Sequence, residues 1–370
     1  MILGLFTALA EVGGMERAGR HVAAVMMEYA SGRQTACQFL SLNDSQKLHR
    51  MSVAGREFEF TGCAGSKLDF VAPAMRKAWG KAELVVAGYP DLGPMSPVAK
   101  TVAPKAKTVV IAHGVEVWQP LPLVKRLALR NADLVLTPTK NTAKQVAIQQ
   151  GVAPERICVL PWALDPDFKA AITPASKPSL PAGFPNGRVI LTVGRWSAVE
   201  RYKGVDTLIA VLARLVAQES EIHLVVAGVG NDQSWFEQIA EECGVRSHVH
   251  FLKGLSYTEI AACYRACEIF AMPSRGEGFG LVYLEAMACG KPVIGGSHGG
   301  APEVIDHGKT GFLVQHGDVE QLAASLQTLL ADPSLAREMG ARGRERVEKD
   351  FHFETFASSL KNIFHNLCKC

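Results

Sequence analysis

Short apolar runs alternate with longer stretches of helical periodicity from one end of this chain to the other. The runs fall at 2–9, 84–87, 108–112, 133–137 and 157–160, and again near 188–194, 222–228, 249–252, 268–272, 291–295 and 311–314. Strands that are apolar throughout, with no alternation, have both faces covered, which is the condition of a parallel sheet flanked by helices. Each parallel step needs a crossover, so the rhythm predicts a doubly wound α/β architecture. A chain of 370 residues is long enough for two such cores. The stretch 171–187, which holds Pro174, Pro178, Pro181 and Pro185, reads as the linker between a domain at 1–170 and a second at 188–350. The tail at 351–370 reads as an amphipathic helix.

Apolar residues make up 48% of the chain, which leaves little room for long disorder, and no run is long enough to span a bilayer. Met1–Ala10 lacks a basic leading segment and reads as a first buried strand rather than a signal peptide. Nine cysteines, an odd number, show no metal-ligand spacing; Cys368 and Cys370 sit at the chain end. Reduced thiols in a cytoplasmic protein are expected. Residues 1–170 hold 20 Lys+Arg against 14 Asp+Glu, and the remainder 19 against 22. A basic first half suits an anionic acceptor or the inner face of a membrane. An imbalance of this size also arises by ordinary scatter, and no nucleic-acid partner is expected.

The stretch Met272–Gly300, MPSRGEGFGLVYLEAMACGKPVIGGSHGG, carries the densest chemistry. A strand breaks at Pro273-Ser274, a glycine-punctuated loop follows, and a helix opens at Gly280 with Leu281, Leu284 and Ala288 on one face. Glycines at a helix start allow close approach of a phosphate to unpaired N–H groups. Glu277 and Glu285 flank that opening and can accept hydrogen bonds from hydroxyls on either side of a bound anion. A nucleoside diphosphate sugar has that layout. For an isolated pair of glutamates at this spacing, a loop acid and a solvated helix acid are the commoner explanation.

Pro-Ser-x-x-Glu-Gly-Phe-Gly at 273–280, Glu-Ala-Met-Ala-x-Gly-x-Pro-Val at 285–293 and Gly-Gly-x-x-Glu at 299–303 occur in series. Together they resemble the retaining GT-B glycosyltransferases of family 4. The resemblance covers essentially the whole chain, most firmly from residue 188. It implies two Rossmann-like domains facing a cleft, with the C-terminal helix crossing back to the N-terminal domain. Glu277 then contacts the donor sugar, Glu285 the ribose, and the backbone at Gly278, Phe279, Gly280 and Leu281 the diphosphate. The family's Gly-Arg-x(n)-Lys-Gly pattern falls on Arg195 and Lys203, two cations that neutralise the departing diphosphate. Arg201 lies between them as an alternative partner. Gly13 and Gly14, after the first strand, match the loop that lies over the diphosphate. His113, at a strand end, matches a histidine near the transferred sugar, with Glu116 close behind to orient the acceptor, take its proton or hold the loop. Lys253 and Leu255 match positions that meet the nucleobase. Glu303 matches a residue that is most often structural.

Two other patterns are set aside, and a third, at 121–130, stays open as a peripheral contact with anionic membrane. Gly228-Val-Gly230 lacks the third glycine of a dinucleotide site, where Gln233 stands. Asp165-Pro-Asp167 has the form of a metal-binding D-x-D, but the family uses no metal there, and Trp162 and Ala163 replace its usual asparagine and glycine. Residues 121–130, LPLVKRLALR, set leucines against Lys125, Arg126 and Arg130. Some relatives touch anionic lipid with such a helix, while a solvated face is the commoner reason for one.

The resemblance implies a metal-independent, retaining transfer of a hexose from a nucleoside diphosphate sugar, GDP-mannose or UDP-glucose foremost, with no cofactor. The acceptor is a carbohydrate, lipid-linked or small-molecule hydroxyl, in polysaccharide or glycolipid assembly. An epimerase of the same fold, or a silent nucleotide-sugar-binding subunit, are the alternatives. Residues 31–107 offer no motif that names the acceptor.

Overall fold

The computed structural model describes residues 1–11, 13–173 and 179–369. They form two compact units, Met1–Pro166 with Phe353–Cys370, and Asp167–His352. Residues 174–178 of the expected linker, including Pro174 and Pro178, lie outside the described residues, as do Val12 and Cys370.

The first unit has eight strands: β1 Ile2–Phe6, β2 Cys37–Ser41, β3 Leu48–Val53, β4 Arg56–Gly62, β5 Leu84–Ala87, β6 Lys107–Ile111, β7 Leu134–Thr137 and β8 Ile157–Val159. They line up in the order β3-β4-β2-β1-β5-β6-β7-β8. Only the β3–β4 pair is antiparallel. The helices between strands are α1 Gly14–Gly32, α2 Lys67–Ala78, α3 Met95–Val102, α4 Leu123–Asn131 and α5 Lys140–Gln145. The chain winds outward from β1 to β2 and β4, then returns to β5 and proceeds the other way. Right-handed crossovers therefore place α1 on one face and α2 to α5 on the other.

Strands β2, β3 and β4 have no counterpart among the apolar runs. The β3–β4 hairpin is half-exposed: Phe58 and Phe60 point inward while Glu57 and Glu59 face water. Its turn, Ala54-Gly55, has positive φ at both central residues (52° and 76°), the handedness that suits a two-residue hairpin. The period-two pattern Arg56-Glu-Phe-Glu-Phe60 was the available signal.

The second unit begins with α6 Pro166–Ile172, whose first residue closes the first unit. Six parallel strands follow: β9 Arg188–Arg195, β10 Ile222–Val229, β11 Val249–Lys253, β12 Ile269–Met272, β13 Val293–Gly296 and β14 Gly311–Val314. Their order, β11-β10-β9-β12-β13-β14, reverses direction between β9 and β12. The helices are α7 Val205–Val216, α8 Gln233–Glu242, α9 Tyr257–Ala266, α10 Leu281–Ala288, α11 Ala301–Val304, α12 Val319–Ala331 and α13 Pro333–Asp350. Leu208, Leu212, Val226, Phe236, Leu322 and Leu326 belong to its core.

The last helix, α14 Phe353–Lys369, belongs to the first unit. Phe353, Phe356, Leu360 and Phe364 form one buried stripe. Tyr29 of α1 meets Phe364 with ring centroids 5.7 Å apart, and His21 meets Phe353 at 5.2 Å. Arg56 adds ion pairs to Glu28 of α1 (2.6 Å) and Glu354 of α14 (2.7 Å). Burying each phenylalanine contributes about 1.5–3 kcal/mol, so packing rather than these ion pairs holds the helix. Among the described residues, no helix is long and apolar enough to cross a membrane.

Three histidines gather where β10 and β11 begin. His250 Nε2 lies 3.2 Å from His223 Nδ1, and the His248 ring stacks 5.1 Å from that of His223. Burial holds the pKa values of His223 and His250 below 6.5; His248 lowers His223 further, and His223 and His248 lower His250 further. Glu221 opposes the shift of His223, and Arg246 reinforces that of His250. The unfolded chain binds these protons near pH 6.5 and the folded chain only at lower pH. Their contribution to stability is therefore complete above pH 6.5 and is lost as pH falls through the depressed values. Melting temperature is expected to decline as pH drops below about 6.5, and the His223→Gln/His250→Gln double variant to flatten that decline. An unchanged slope in the variant would place the titration elsewhere.

Candidate active site

In a doubly wound sheet, ligands meet the loops at the carboxyl ends of the strands beside the reversal point. In the second unit those loops follow β9 and β12. Strand β9 ends in Gly194-Arg195, and a tight turn over Ala198–Lys203 leads into α7. Gly204 closes that turn with φ of 80°. A side chain there would meet the Pro273 carbonyl oxygen at 2.8 Å, so the two loops touch backbone to backbone. Arg275 N donates to Tyr202 O at 2.8 Å and ties them again.

Between these loops sits a charged group built around Glu200. Its Oε1 accepts from Arg195 Nε and from Lys203 Nζ, both at 3.2 Å, while Ser197 Oγ donates to Oε2 at 3.0 Å. Lys203 Nζ also reaches Arg195 O at 3.3 Å. Burial raises the pKa of Glu200, but Lys203 and Arg195 outweigh it and hold the carboxyl below its ordinary range. Arg195 remains half-exposed; Lys203 and Glu200 are largely covered. Glycine at 194 makes room for the lysine, because a Cβ there would come within 3.3 Å of Nζ. Glu200 was missed in the sequence. The signal available was an acid three residues before Lys203 on a one-turn element.

Arg201 is committed elsewhere. Its Nε and a terminal nitrogen donate to the two oxygens of Asp232 at 2.6 and 2.9 Å, and its guanidinium lies 3.7 Å from the Trp235 ring centroid. The cationic pair of this loop is Arg195 with Lys203.

Glu277 joins the same group from the β12 loop. Burial pushes its pKa up, and Lys203 and then Arg195 oppose that rise, with Glu200 adding to it. Its backbone pairs with Gly299, and Gly300 N donates to Glu277 O at 2.6 Å, which brings the Gly299-Gly300 segment alongside. Gly280 caps α10 with φ of 94°, and a side chain there would strike the Tyr283 ring and approach Glu277 Cγ. Gly278, Phe279 and Gly280 lead into this helix and Leu281 begins it; Gly280, at the cap position, brings no side chain to it. Phe279 is buried and packs edge-on against Phe351, 5.8 Å away.

Glu285 stands apart from that charged group. It is 2% exposed, and Tyr264 Oη donates to its Oε2 at 2.7 Å. Helix α10 is buried on every side from Tyr283 to Ala288, so the carboxylate enters a polar niche within the core. Lys253, at the end of β11, lies with Nζ 5.0 Å from the ring centroid of Trp196, the residue after Arg195; Leu255 follows, half-buried. Glu303 lies on α11, and its carbonyl oxygen accepts from Arg346 at 3.0 Å.

The first unit carries its own part of the pattern. Gly13 is the residue before α1 and Gly14 its first. The loop leading to them is clamped from two sides. Asp44 accepts from Leu9 N at 2.7 Å, Ala10 N at 3.2 Å and Ser41 Oγ at 2.5 Å. Arg20 donates to the carbonyls of Leu9 and Glu11 at 2.7 and 2.9 Å. His113 follows β6, and its Nε2 lies 2.8 Å from Gly88 O. A carbonyl only accepts, so Nε2 carries a proton toward it, while Nδ1 is buried and has no partner among the described residues. Glu116 accepts from His113 N at 2.5 Å and so holds this loop. Trp162, where the family usually has asparagine, packs 5.4 Å from His113 and 5.9 Å from Phe356. Asp165 lies 3.7 Å from His21 Nε2, and among the described residues no three His, Cys, Asp or Glu side chains cluster as metal ligands.

Residues 182–346 match the family described as "Glycosyl transferases group 1". The chain is 33% identical over 288 residues to a GDP-mannose-dependent alpha-(1-6)-phosphatidylinositol monomannoside mannosyltransferase of Mycobacterium tuberculosis, covering 73% of this chain and 74% of that one. It is 30% identical over 243 residues to a D-inositol 3-phosphate glycosyltransferase of Corynebacterium aurimucosum, covering 63% and 57%. Among solved structures it superimposes on a sucrose-phosphate synthase from Thermosynechococcus elongatus with a TM-score of 0.79 at 23% identity, covering 99% and 98% of the two chains. Anabaena HepE, solved with UDP and glucose, gives 0.78 at 21%, covering 99% and 100%. Two doubly wound sheets, the loop chemistry after β9 and β12, and these likenesses agree: the chain belongs to the glycosyl transferases group 1 family and has the GT-B fold.

Proposed function

We propose that this protein transfers a hexose from a nucleoside diphosphate sugar to an acceptor hydroxyl with retention at the anomeric carbon, as family 4 enzymes do. The observation that carries the reading is the Arg195–Glu200–Lys203 group, with Glu277 beside it at the glycine-rich start of α10. A diphosphate is the anion that two fixed cations and a row of backbone N–H groups are shaped to receive. GDP-mannose is the proposed donor, because the mycobacterial relatives named above and in Mycolicibacterium smegmatis are GDP-mannose-dependent. Their named acceptor is a phosphatidylinositol mannoside, so a lipid-linked polyol is the acceptor class proposed here.

In this reading the bond from C1 to the β-phosphate oxygen breaks as the acceptor oxygen bonds to C1 on the same face. The acceptor's proton passes to the departing phosphate oxygen. Arg195 and Lys203 take up the charge that grows on that oxygen, the work a metal ion does in other transferases. Glu277 accepts hydrogen bonds from the donor sugar, Glu285 from the ribose, and His113 Nδ1 from a sugar hydroxyl. Glu277 is given no nucleophilic role, since a grip on distant hydroxyls leaves it badly placed for C1.

Removing one preorganised charge donor typically costs about 10²–10³ in kcat. Lys203→Ala is expected to fall in that range with GDP-mannose, and activity of the unaltered protein to survive EDTA. Loss of all turnover in EDTA would overturn the metal-independent reading, and the absence even of slow donor hydrolysis would favour a silent binding subunit. Glu277→Gln is expected to lower turnover of GDP-mannose while leaving the GDP-induced rise in melting temperature unchanged. A variant that loses GDP binding as well would move Glu277 from the sugar to the diphosphate.

A further inference from the structure

Glu285 occupies a place where an apolar side chain would serve the fold better. Its neighbours on α10 are buried from Tyr283 to Ala288, and Glu285 itself is 2% exposed. A carboxyl in such surroundings loses its hydration and depends on partners inside the protein. Tyr264 of α9 is such a partner, its Oη donating to Glu285 Oε2 at 2.7 Å.

The donor is itself held on two sides. Tyr264 is fully buried, with its ring edge-on to Phe168 of α6 at 5.6 Å and tilted against Phe270 of β12 at 5.5 Å. In a close-packed interior the ring cannot turn without displacing both neighbours, so its hydroxyl is fixed in place. A hydrogen bond from a fixed donor to one carboxyl oxygen sets the plane of the carboxyl and the position of the other oxygen.

That carboxyl stands near the open end of its helix. Helical side chains lean toward the N-terminus, so Glu285 lies over the turn of Leu281. Leu281 and Val282 are half-buried, whereas the residues from Tyr283 onward are covered. The carboxyl is thus held where the core gives way to the glycine-rich start of α10. A vicinal diol presents two O–H groups side by side, and a carboxyl ordered in advance receives them without the entropy loss of ordering it on binding.

We propose that Tyr264 is a positioning residue for nucleotide recognition: its hydroxyl orients Glu285 to accept from the 2′- and 3′-hydroxyls of the donor ribose. Tyr264 does not touch the nucleotide and acts through Glu285 alone. The proposal rests on the placement of Glu285 at the ribose given above. A tyrosine that only filled space between Phe168 and Phe270 would be replaceable by phenylalanine with no effect on which nucleotide binds.

The test is nucleotide affinity by titration calorimetry with the full chain. GDP and UDP are offered first, and the one that binds is compared with its 2′,3′-dideoxy form. A hydrogen bond to a carboxylate is worth about tenfold or more, and the unaltered protein is expected to prefer the ribose form by that factor. Tyr264→Phe keeps the ring and removes only the hydroxyl; it is expected to cut the preference to about threefold or less while affinity for the dideoxy form is unchanged. A loosened fold would instead weaken both forms alike. Glu285→Ala is expected to abolish the preference, and adding Tyr264→Phe to it to change nothing further, since no carboxyl is left to orient. In turnover, Tyr264→Phe is expected to raise KM for the donor by the factor lost in affinity and to leave kcat nearly unchanged. A preference that disappears in Glu285→Ala but survives in Tyr264→Phe would overturn the role of Tyr264 and leave Glu285 at the ribose. Equal affinity for the two forms in the unaltered protein, or no binding of either base, would overturn the ribose placement itself and this inference with it.

Discussion

Every strand of the second sheet runs in one direction, and that single constraint fixes where this molecule can do chemistry. Parallel strands buried on both faces can carry no functional side chains along their length. Function is pushed to the loops at their carboxyl ends, and the reversal between β9 and β12 brings two of those loops together. Gly204 against Pro273 and Arg275 against Tyr202 hold them at backbone distance. The first sheet obeys the same rule, with Gly13 and Gly14 after β1 and His113 after β6.

Within that frame the charges are organised by a residue that is itself of the wrong sign for binding phosphate. Glu200 holds Arg195 and Lys203 at 3.2 Å each, and its largely covered carboxyl is kept ionised by them. Two cations at close quarters repel, and long side chains lose entropy when ordered. An acid between them reduces both costs before a ligand arrives. Charged donors fixed in advance need little reorganisation when negative charge develops, which is the basis of electrostatic stabilisation in an active site. Arg201 sits one turn away yet is neutralised by Asp232 and stacked on Trp235, so proximity in sequence did not decide which cations face the site.

The sequence showed most of the parallel strands because an apolar run of four to eight residues leaves few other readings. It did not show β2, β3 and β4, where the sheet edge is half-wet and Phe58 and Phe60 alternate with Glu57 and Glu59. The motif loops were legible as far as residue type and spacing reach. Burial was not: Glu285 sits on a helix whose neighbours are apolar all round, and only the fold reveals Tyr264 as its partner. Trp162 in place of an asparagine was visible as a departure, but its packing between His113 and Phe356 follows from the return of α14 to the first unit. Glu200, Asp44 and Arg20 act by holding other groups, and such roles leave no spacing to detect.

In the proposed reaction Lys203 and Arg195, held by Glu200, receive the β-phosphate of the donor. Comparing the affinities of GDP and GMP in the unaltered protein and in Lys203→Ala tests it most directly. GDP is expected to bind more tightly than GMP, the substitution to erase most of this difference, and GMP affinity to stay nearly unchanged. A GDP preference that survives the loss of Lys203 would contradict it and place the β-phosphate elsewhere.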